Sequence, residues 1–137
     1  KNIQQKWDRK KKRIKSSLKK GQHPRLVVFR SNKNIYVQII DDIIDTAGTI
    51  CNAAETAMDE GAKSVTAIAT HPVLSGESIE RLQNSPISKV IVCDTISLNE
   101  KQQFDKLEVI SVADVFGESI KRIVSGTSLS SMFHDFN

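Results

Sequence analysis

The sequence predicts an α/β fold: a parallel sheet over residues 41–137, preceded by a basic arm over 1–24 and a β-hairpin over 25–42. Three observations carry the prediction. From Asp42 onward, short β-branched runs alternate with stretches of helical periodicity, the pattern of right-handed βαβ units. Before that, two β-branched runs at 26–30 and 35–40 bracket the polar cluster Ser31-Asn32-Lys33-Asn34, which reads as a hairpin. Charge also changes sign along the chain: residues 1–30 hold 12 Lys/Arg against the single acid Asp8 (+11), and residues 31–137 hold 8 basic and 15 acidic side chains (−7). The net +4 hides two parts that face different partners.

Each element follows from local chemistry. Ile3, Trp7, Ile14 and Leu18 recur at helical spacing among the lysines, so the arm reads as a basic amphipathic helix, broken by Gly21-Gln22-His23-Pro24. After the hairpin, a small-residue helix over 50–60 ends at Gly61, a C-cap residue. A strand at 64–70 leads to a loop at His71-Pro72. A helix over 77–83 stops near Pro86, and Ser75 reads as its cap because no His/Asp pair is spaced to activate it as a nucleophile. The apolar run 90–93 is expected to be a strand covered on both faces. A last strand at 107–111 feeds a helix over 112–125, where Val112, Val115, Phe116, Ile120 and Ile123 share a face and Ser111 with Asp114 resembles a capping box.

Composition sets the limits. At 137 residues with 39% hydrophobic and 5% aromatic side chains, the chain supports one modest, aliphatic core. Cys51 and Cys93 lack CxxC or CxxH neighbours and read as packed thiols of a reducing compartment, not metal ligands. No apolar run reaches membrane-spanning length and the first residues are not signal-like, so the expectation is a cytoplasmic protein with no membrane association. A chain that opens on Lys1 reads as a fragment.

The most specific string is Asp41-Asp42-Ile43-Ile44-Asp45-Thr46-Ala47-Gly48-Thr49-Ile50. An acidic pair at a strand end, followed by a hydroxyl- and glycine-bearing turn into a helix, suits a phosphorylated sugar. Backbone N–H groups and hydroxyls take the phosphate, and carboxylates take ribose hydroxyls or a metal. The plainer alternative is an ordinary helix N-cap. His71 reads as a simple loop histidine beside Pro72.

Residues 41–49 resemble the phosphoribosyl-binding loop of the type I phosphoribosyltransferase fold, with the specific likeness to ribose-phosphate diphosphokinase. The likeness continues through Gly61-Ala62-Lys63-Ser64-Val65, Ala67 to Gly76, Val92-Cys93-Asp94-Thr95-Ile96, Glu118 to Ile123 and Ser128 to Phe133, and so spans about 41–134. It implies a phosphoribosyltransferase-like half-domain, magnesium, and transfer of the β,γ-pyrophosphoryl group of ATP to the 1-hydroxyl of ribose 5-phosphate, giving phosphoribosyl pyrophosphate and AMP. By position it implies that Asp45, Thr46, Ala47, Gly48 and Thr49 hold the sugar 5-phosphate, with Gly48 letting the backbone close on the anion. Asp41 and Asp42 would take the ribose 2- and 3-hydroxyls or metal-bound water. Ser128, Ser130 and Phe133 match a tail that adds to a regulatory phosphate or nucleotide site in the family's hexamers, so ATP or ADP as ligand and a homo-oligomer are implied too. The family's N-terminal half, with its adenine-binding residues, metal-binding His and mobile catalytic loop, has no counterpart here. The expectation is ligand binding without turnover. Ser97 and Glu77 stand where the family often has Pro.

The first part is similar instead to large-subunit ribosomal protein eighteen, through Arg9-Lys10-Lys11-Lys12-Arg13-Ile14 and through Pro24 to Asp42. That resemblance implies 5S ribosomal RNA bound by Arg9, Lys10, Lys11, Lys12, Arg13, Arg25 and Arg30, since Lys/Arg on an arm neutralise phosphates with little sequence readout. Tyr36 or Phe29 could stack on a base. The plainer reading of the arm is a solvated basic helix. The two resemblances meet at Ile40-Asp41-Asp42, so a third reading is an accidental fusion without evolved function.

Overall fold

The structure, a computed structural model, describes residues 24–31 and 34–132. The predicted basic helix, with Arg9 to Arg13, and Phe133 of the tail lie outside the described residues. Five strands form one sheet in the order β1-β2-β3-β4-β5, which bears out the α/β expectation. They are β1 (Arg25–Arg30), β2 (Ile35–Ile44), β3 (Ser64–Pro72), β4 (Ile87–Cys93) and β5 (Leu107–Ile110). β1 runs antiparallel to β2 with Leu26 opposite Ile39, and the remaining pairs are parallel. Helices α1 (Gly48–Asp59), α2 (Ser78–Asn84) and α3 (Ala113–Ser125) lie between and after the parallel strands.

The hairpin forms as its sequence predicts. Two differences appear at the carboxyl end of β2. The strand does not stop at Ile40 but runs to Ile44, and β3 runs through His71 to Pro72, where a loop was expected. The cause is shared: Ile43 pairs with His71 and Ile44 with Pro72, so each extension supplies the other's ladder. Pro72 costs little there, because the last residue of a strand can forgo its donor.

α1 closes onto the sheet through Ala53, Ala54 and Ala57, all at most 1% exposed, whose small side chains let the helix backbone approach closely. Its end is a Schellman motif: Gly61 at φ 92° donates to the Met58 carbonyl and Ala62 to that of Ala57. Gly61 thus sits one residue past the cap, Glu60, where a left-handed φ favours glycine. α2 is only seven residues long. Lys106 stabilises its carboxyl end, its Nζ donating to the carbonyls of Leu82, Gln83 and Ser85 at 3.2, 2.8 and 2.8 Å.

Strand order decides where the core sits. Parallel strands that are neighbours in both chain and sheet, joined by right-handed crossovers, place their connections on one face. α1 packs on β2, β3 and α2, and the buried face of the sheet carries Val37, Ile39, Val65, Ala67, Val90 and Val92, each at most 2% exposed. The opposite face carries the row Ile40, Ile68 and Ile91, paired strand to strand and only half-buried. β4 therefore alternates between the two states, and the expectation that it is covered on both faces is corrected.

α3 has the amphipathic pattern predicted for it, but none of its residues is buried, and Val115, Phe116, Ile120, Ile123 and Val124 are 48 to 83% exposed. Its cap is Val112, with no side-chain capping bond, so the capping box of Ser111 and Asp114 does not form. Asp94 explains part of this. Its carboxylate accepts from the Ser111 hydroxyl and the Val112 N–H, which also holds its pKa below the ordinary value. The end of β4 is thereby tied to the segment that starts α3.

Candidate functional site

The candidate site lies beyond the carboxyl end of β2, where ligands of open α/β sheets collect. β2 delivers the chain to Ile44, and four residues later α1 begins. Between them Ala47, the N-cap residue, adopts φ 61°, ψ 0°, a left-handed conformation that a non-glycine residue rarely takes. Ala47 is only 5% exposed: its methyl fills the core while its backbone makes the turn. No side chain caps α1, so the first-turn N–H groups receive no side-chain partner. Uncapped donors at the positive end of a 12-residue helix have the chemistry that suits an anion.

A cavity of about 350 Å³ opens on this surface, and Asp41, Asp45, Thr46, Ala47, Gly48 and Thr49 all line it. Six of the seven residues proposed from sequence for the sugar phosphate are thus gathered by one stretch of backbone. Asp42 is the exception: it is exposed and does not line the cavity. Because Asp41 and Asp42 lie within β2 instead of after it, successive side chains point to opposite faces. The Asp41 carboxylate also accepts from the backbone N–H of Asp42 at 2.8 Å.

Two elements distant in sequence close around the loop. The segment after β3 returns alongside it, with Leu74 donating to the Ile44 carbonyl at 2.9 Å and Ser75 to the Asp45 carbonyl at 3.2 Å. Leu74 is itself left-handed at φ 48° and buried. Ser75 is not the cap of α2, a position held by Glu77; its hydroxyl donates to the Asp45 carboxylate. From α2, Arg81 Nη1 donates to the Thr46 carbonyl at 3.2 Å, and its Nη2 pairs with Glu77 at 3.2 Å. Sequence reasoning missed both contacts, which span 35 residues for Arg81 and 30 for Ser75.

Behind the loop a second cavity, of about 550 Å³, lies between α1 and α2, with Cys51, Glu55, Glu77 and Arg81 in its wall. Burial pushes the Cys51 thiol above its ordinary pKa, against smaller opposing pulls led by Ser85, so it is a packed thiol as expected. His71 sits in β3 and not in a loop. The Thr95 hydroxyl spends its one proton on the Thr70 carbonyl at 2.8 Å, so His71 Nδ1, at 2.9 Å from the same oxygen, carries the proton of that contact. The network assigns this tautomer and gives His71 a bracing role.

The tail residues stand elsewhere. Ser128 accepts at its carbonyl from Arg122 Nη1 at 3.0 Å and at its hydroxyl from the Ser130 N–H at 3.2 Å. Neither serine lines the loop cavity. Of the basic residues proposed for RNA, Arg25 opens β1 and is exposed, and Arg30 closes it opposite Ile35. Among the described residues no helix is long and apolar enough to cross a membrane.

Among the described residues no three His, Cys, Asp or Glu side chains group into a metal cage. Magnesium needs none: it is held by one or two carboxylates together with substrate oxygens. Asp41 and Asp45, hard oxygen donors in one cavity, fit that manner of binding.

Comparison with known proteins adds the following. Residues 4–134 match the family model described as the phosphoribosyl synthetase-associated domain. The ribose-phosphate pyrophosphokinase of Aquifex aeolicus is 56% identical over 95 residues, 69% of this chain and 30% of that protein. The ribose-phosphate pyrophosphokinase of Clostridium acetobutylicum is 47% identical over 97 residues, 71% of this chain and 30% of that protein. The crystal structure of phosphoribosylpyrophosphate synthetase from Mycobacterium smegmatis aligns at TM-score 0.64 with 30% identity, over 74% of this chain and 37% of that one. The chain therefore spans about 30% of the length of these curated relatives.

Proposed function

The chain belongs to the phosphoribosyl synthetase-associated domain family, and from that premise we propose that its loop binds ribose 5-phosphate or phosphoribosyl pyrophosphate. The supporting observation is the uncapped, left-handed entry to α1 lining a cavity with two carboxylates. The N–H groups of Gly48 and Thr49 and the hydroxyls of Thr46 and Thr49 take the 5-phosphate. Asp45, grouped with the phosphate by the resemblance, carries an acceptor that repels an anion, so its carboxylate and that of Asp41 face the ribose hydroxyls. Asp42, on the other face of β2, reaches the ligand only through water or a metal ion. Magnesium, when bound, offsets the charge of a pyrophosphoryl group beside these carboxylates. The reaction in which this loop takes part is pyrophosphoryl transfer from ATP, with ribose 5-phosphate as acceptor. In this reading residues 41–134 supply the sugar-phosphate site, and turnover also requires the adenine site and the mobile catalytic loop that the resemblance assigns to another part of the relatives. In the same reading Ser128, Ser130 and Phe133 belong to a regulatory phosphate site of a homo-oligomer.

Calorimetry with magnesium and ribose 5-phosphate tests the assignment on the wild-type chain and on Asp45→Ala. Wild type is expected to bind and the variant to lose at least about tenfold in affinity, as for a charged hydrogen-bonding partner removed. Equal heats from the two proteins would overturn the reading.

The charge of residues 1–30, +11 by count, favours a second reading: an RNA-phosphate contact through Arg9 to Arg13, Arg25 and Arg30. A mobility-shift series with 5S ribosomal RNA at rising salt should show affinity falling steeply; binding that ignores salt removes this reading.

A further inference from the structure

We propose that Arg81 is a positioning residue that locks the loop in its ligand-binding shape from behind. The proposal rests on the sugar-phosphate reading of the loop and deepens it.

The geometry is specific. Arg81 donates to the carbonyl of Thr46, the residue immediately before left-handed Ala47. The peptide between Thr46 and Ala47 turns about ψ of the first and φ of the second. Ala47 can relax to the favoured negative φ only by rotating that peptide plane, which swings the Thr46 carbonyl away from α2. The guanidinium bond opposes this one motion. A left-handed alanine is disfavoured by an amount comparable to a single charge-assisted hydrogen bond, so this bond is large enough to decide which state of the loop prevails.

Arg81 is itself prepared for the task. Its Nη2 pairs with Glu77, the N-cap residue of α2 one turn earlier, which orients the fork and leaves Nη1 for the loop. A lysine in its place has one point charge and cannot hold both partners in a plane. The side chain is 46% exposed, so the ion pair alone contributes little in water, and the value of the arrangement lies in its direction. On the opposite side, the Ser75 hydroxyl and N–H fix Asp45. Asp45 to Thr46 is thereby held between two elements that reach it from 30 and 35 residues away. Arg81 does not line the ligand cavity, so it acts through the loop and not on the ligand.

The test compares wild type with Arg81→Gln, Arg81→Lys and Glu77→Gln. Amide exchange read by NMR in the unliganded protein is the primary measurement. Arg81→Gln should accelerate exchange at Cys51 and Ser75, whose N–H groups donate to the loop carbonyls of Ala47 and Asp45, by about tenfold, the worth of one charge-assisted bond, while the core amides of β3 and β4 keep their rates. Arg81→Lys should recover part of the protection, and Glu77→Gln, which leaves the Thr46 contact in place, should lose only part of it. Ribose 5-phosphate affinity should fall by a similar factor in Arg81→Gln. Unchanged loop exchange in Arg81→Gln overturns the proposal, as does an acceleration spread evenly over the sheet, which would mark Arg81 as ordinary packing. If wild type fails to bind ribose 5-phosphate, the sugar-phosphate reading falls, and the exchange rates of the unliganded protein still decide the role of Arg81.

Discussion

Gly48 separates two demands that a tight turn into a helix places on a glycine: conformational freedom and room. Its φ is not in the left-handed region; among the described residues that region is occupied by Gly61, Gly76 and Gly126, together with Ala47 and Leu74. A Cβ built on Gly48 meets as its nearest atom Arg81 Nη1, at 3.8 Å, an ordinary van der Waals contact. Alanine therefore fits without strain and restricts the unfolded chain. Gly48→Ala should stabilise the fold by about 0.4–1 kcal/mol. For a domain of this size that raises the thermal midpoint by about 2–6 °C. The added methyl contacts the α2 side, away from the donors offered to the ligand, so ribose 5-phosphate affinity should change by less than about twofold. Gly76 is the internal control, with nothing within 4 Å of its built Cβ but φ at +57°. Gly76→Ala should cost about 1–2 kcal/mol, because backbone conformation and not space opposes it. Differential scanning calorimetry of the two variants, followed by titration, reads both effects. A lower midpoint for Gly48→Ala, or a large loss of affinity, would refute the view that this glycine is needed neither for its φ nor for its room.

Two further outcomes follow from the core. Leu82 is fully buried on α2, the helix that carries Arg81, and Leu82→Ala should cost about 2–5 kcal/mol in urea unfolding, since a short helix cannot collapse into the gap. Cys51 has a folded pKa raised by burial above its ordinary 9.0, so on raising the pH the unfolded chain loses the thiol proton first. The stability tied to the thiol is complete below about pH 9 and drains away above it, and the urea midpoint should fall more between pH 8 and pH 10 in wild type than in Cys51→Ala. Parallel shifts in the two proteins would contradict this.

Much of the loop could be read directly, because its chemistry is local. Thr46, Ala47, Gly48 and Thr49 are consecutive, and an uncapped helix start needs only its own backbone. The hairpin was legible for the same reason. What escaped was set by distance. Nothing near Arg81 announces a carbonyl 35 residues back, and Ser75 read as a cap because capping is what a lone serine before a helix most often does. The strand ends at Ile44 and Pro72 were missed because each needs the other as ladder partner. An acidic pair and a proline, judged alone, argue for a turn. The α3 stripe marks the opposite limit: periodicity says which face of a helix is apolar, not whether anything covers it.

The order of strands in the sheet bears on how the chain acquires its shape. Ile40 meets Ile68, Ile68 meets Ile91 and Ile91 meets Glu108, so no strand waits for a partner beyond its neighbour in the chain. Each parallel pairing closes over one crossover and no more, which places the fold between helical bundles and all-β sandwiches in contact order and in folding speed. Each strand can add to an edge already in place, beginning from the hairpin. During synthesis the loop between β2 and α1 and the strands on either side of it can therefore be complete while the residues of α3 are still within the ribosome.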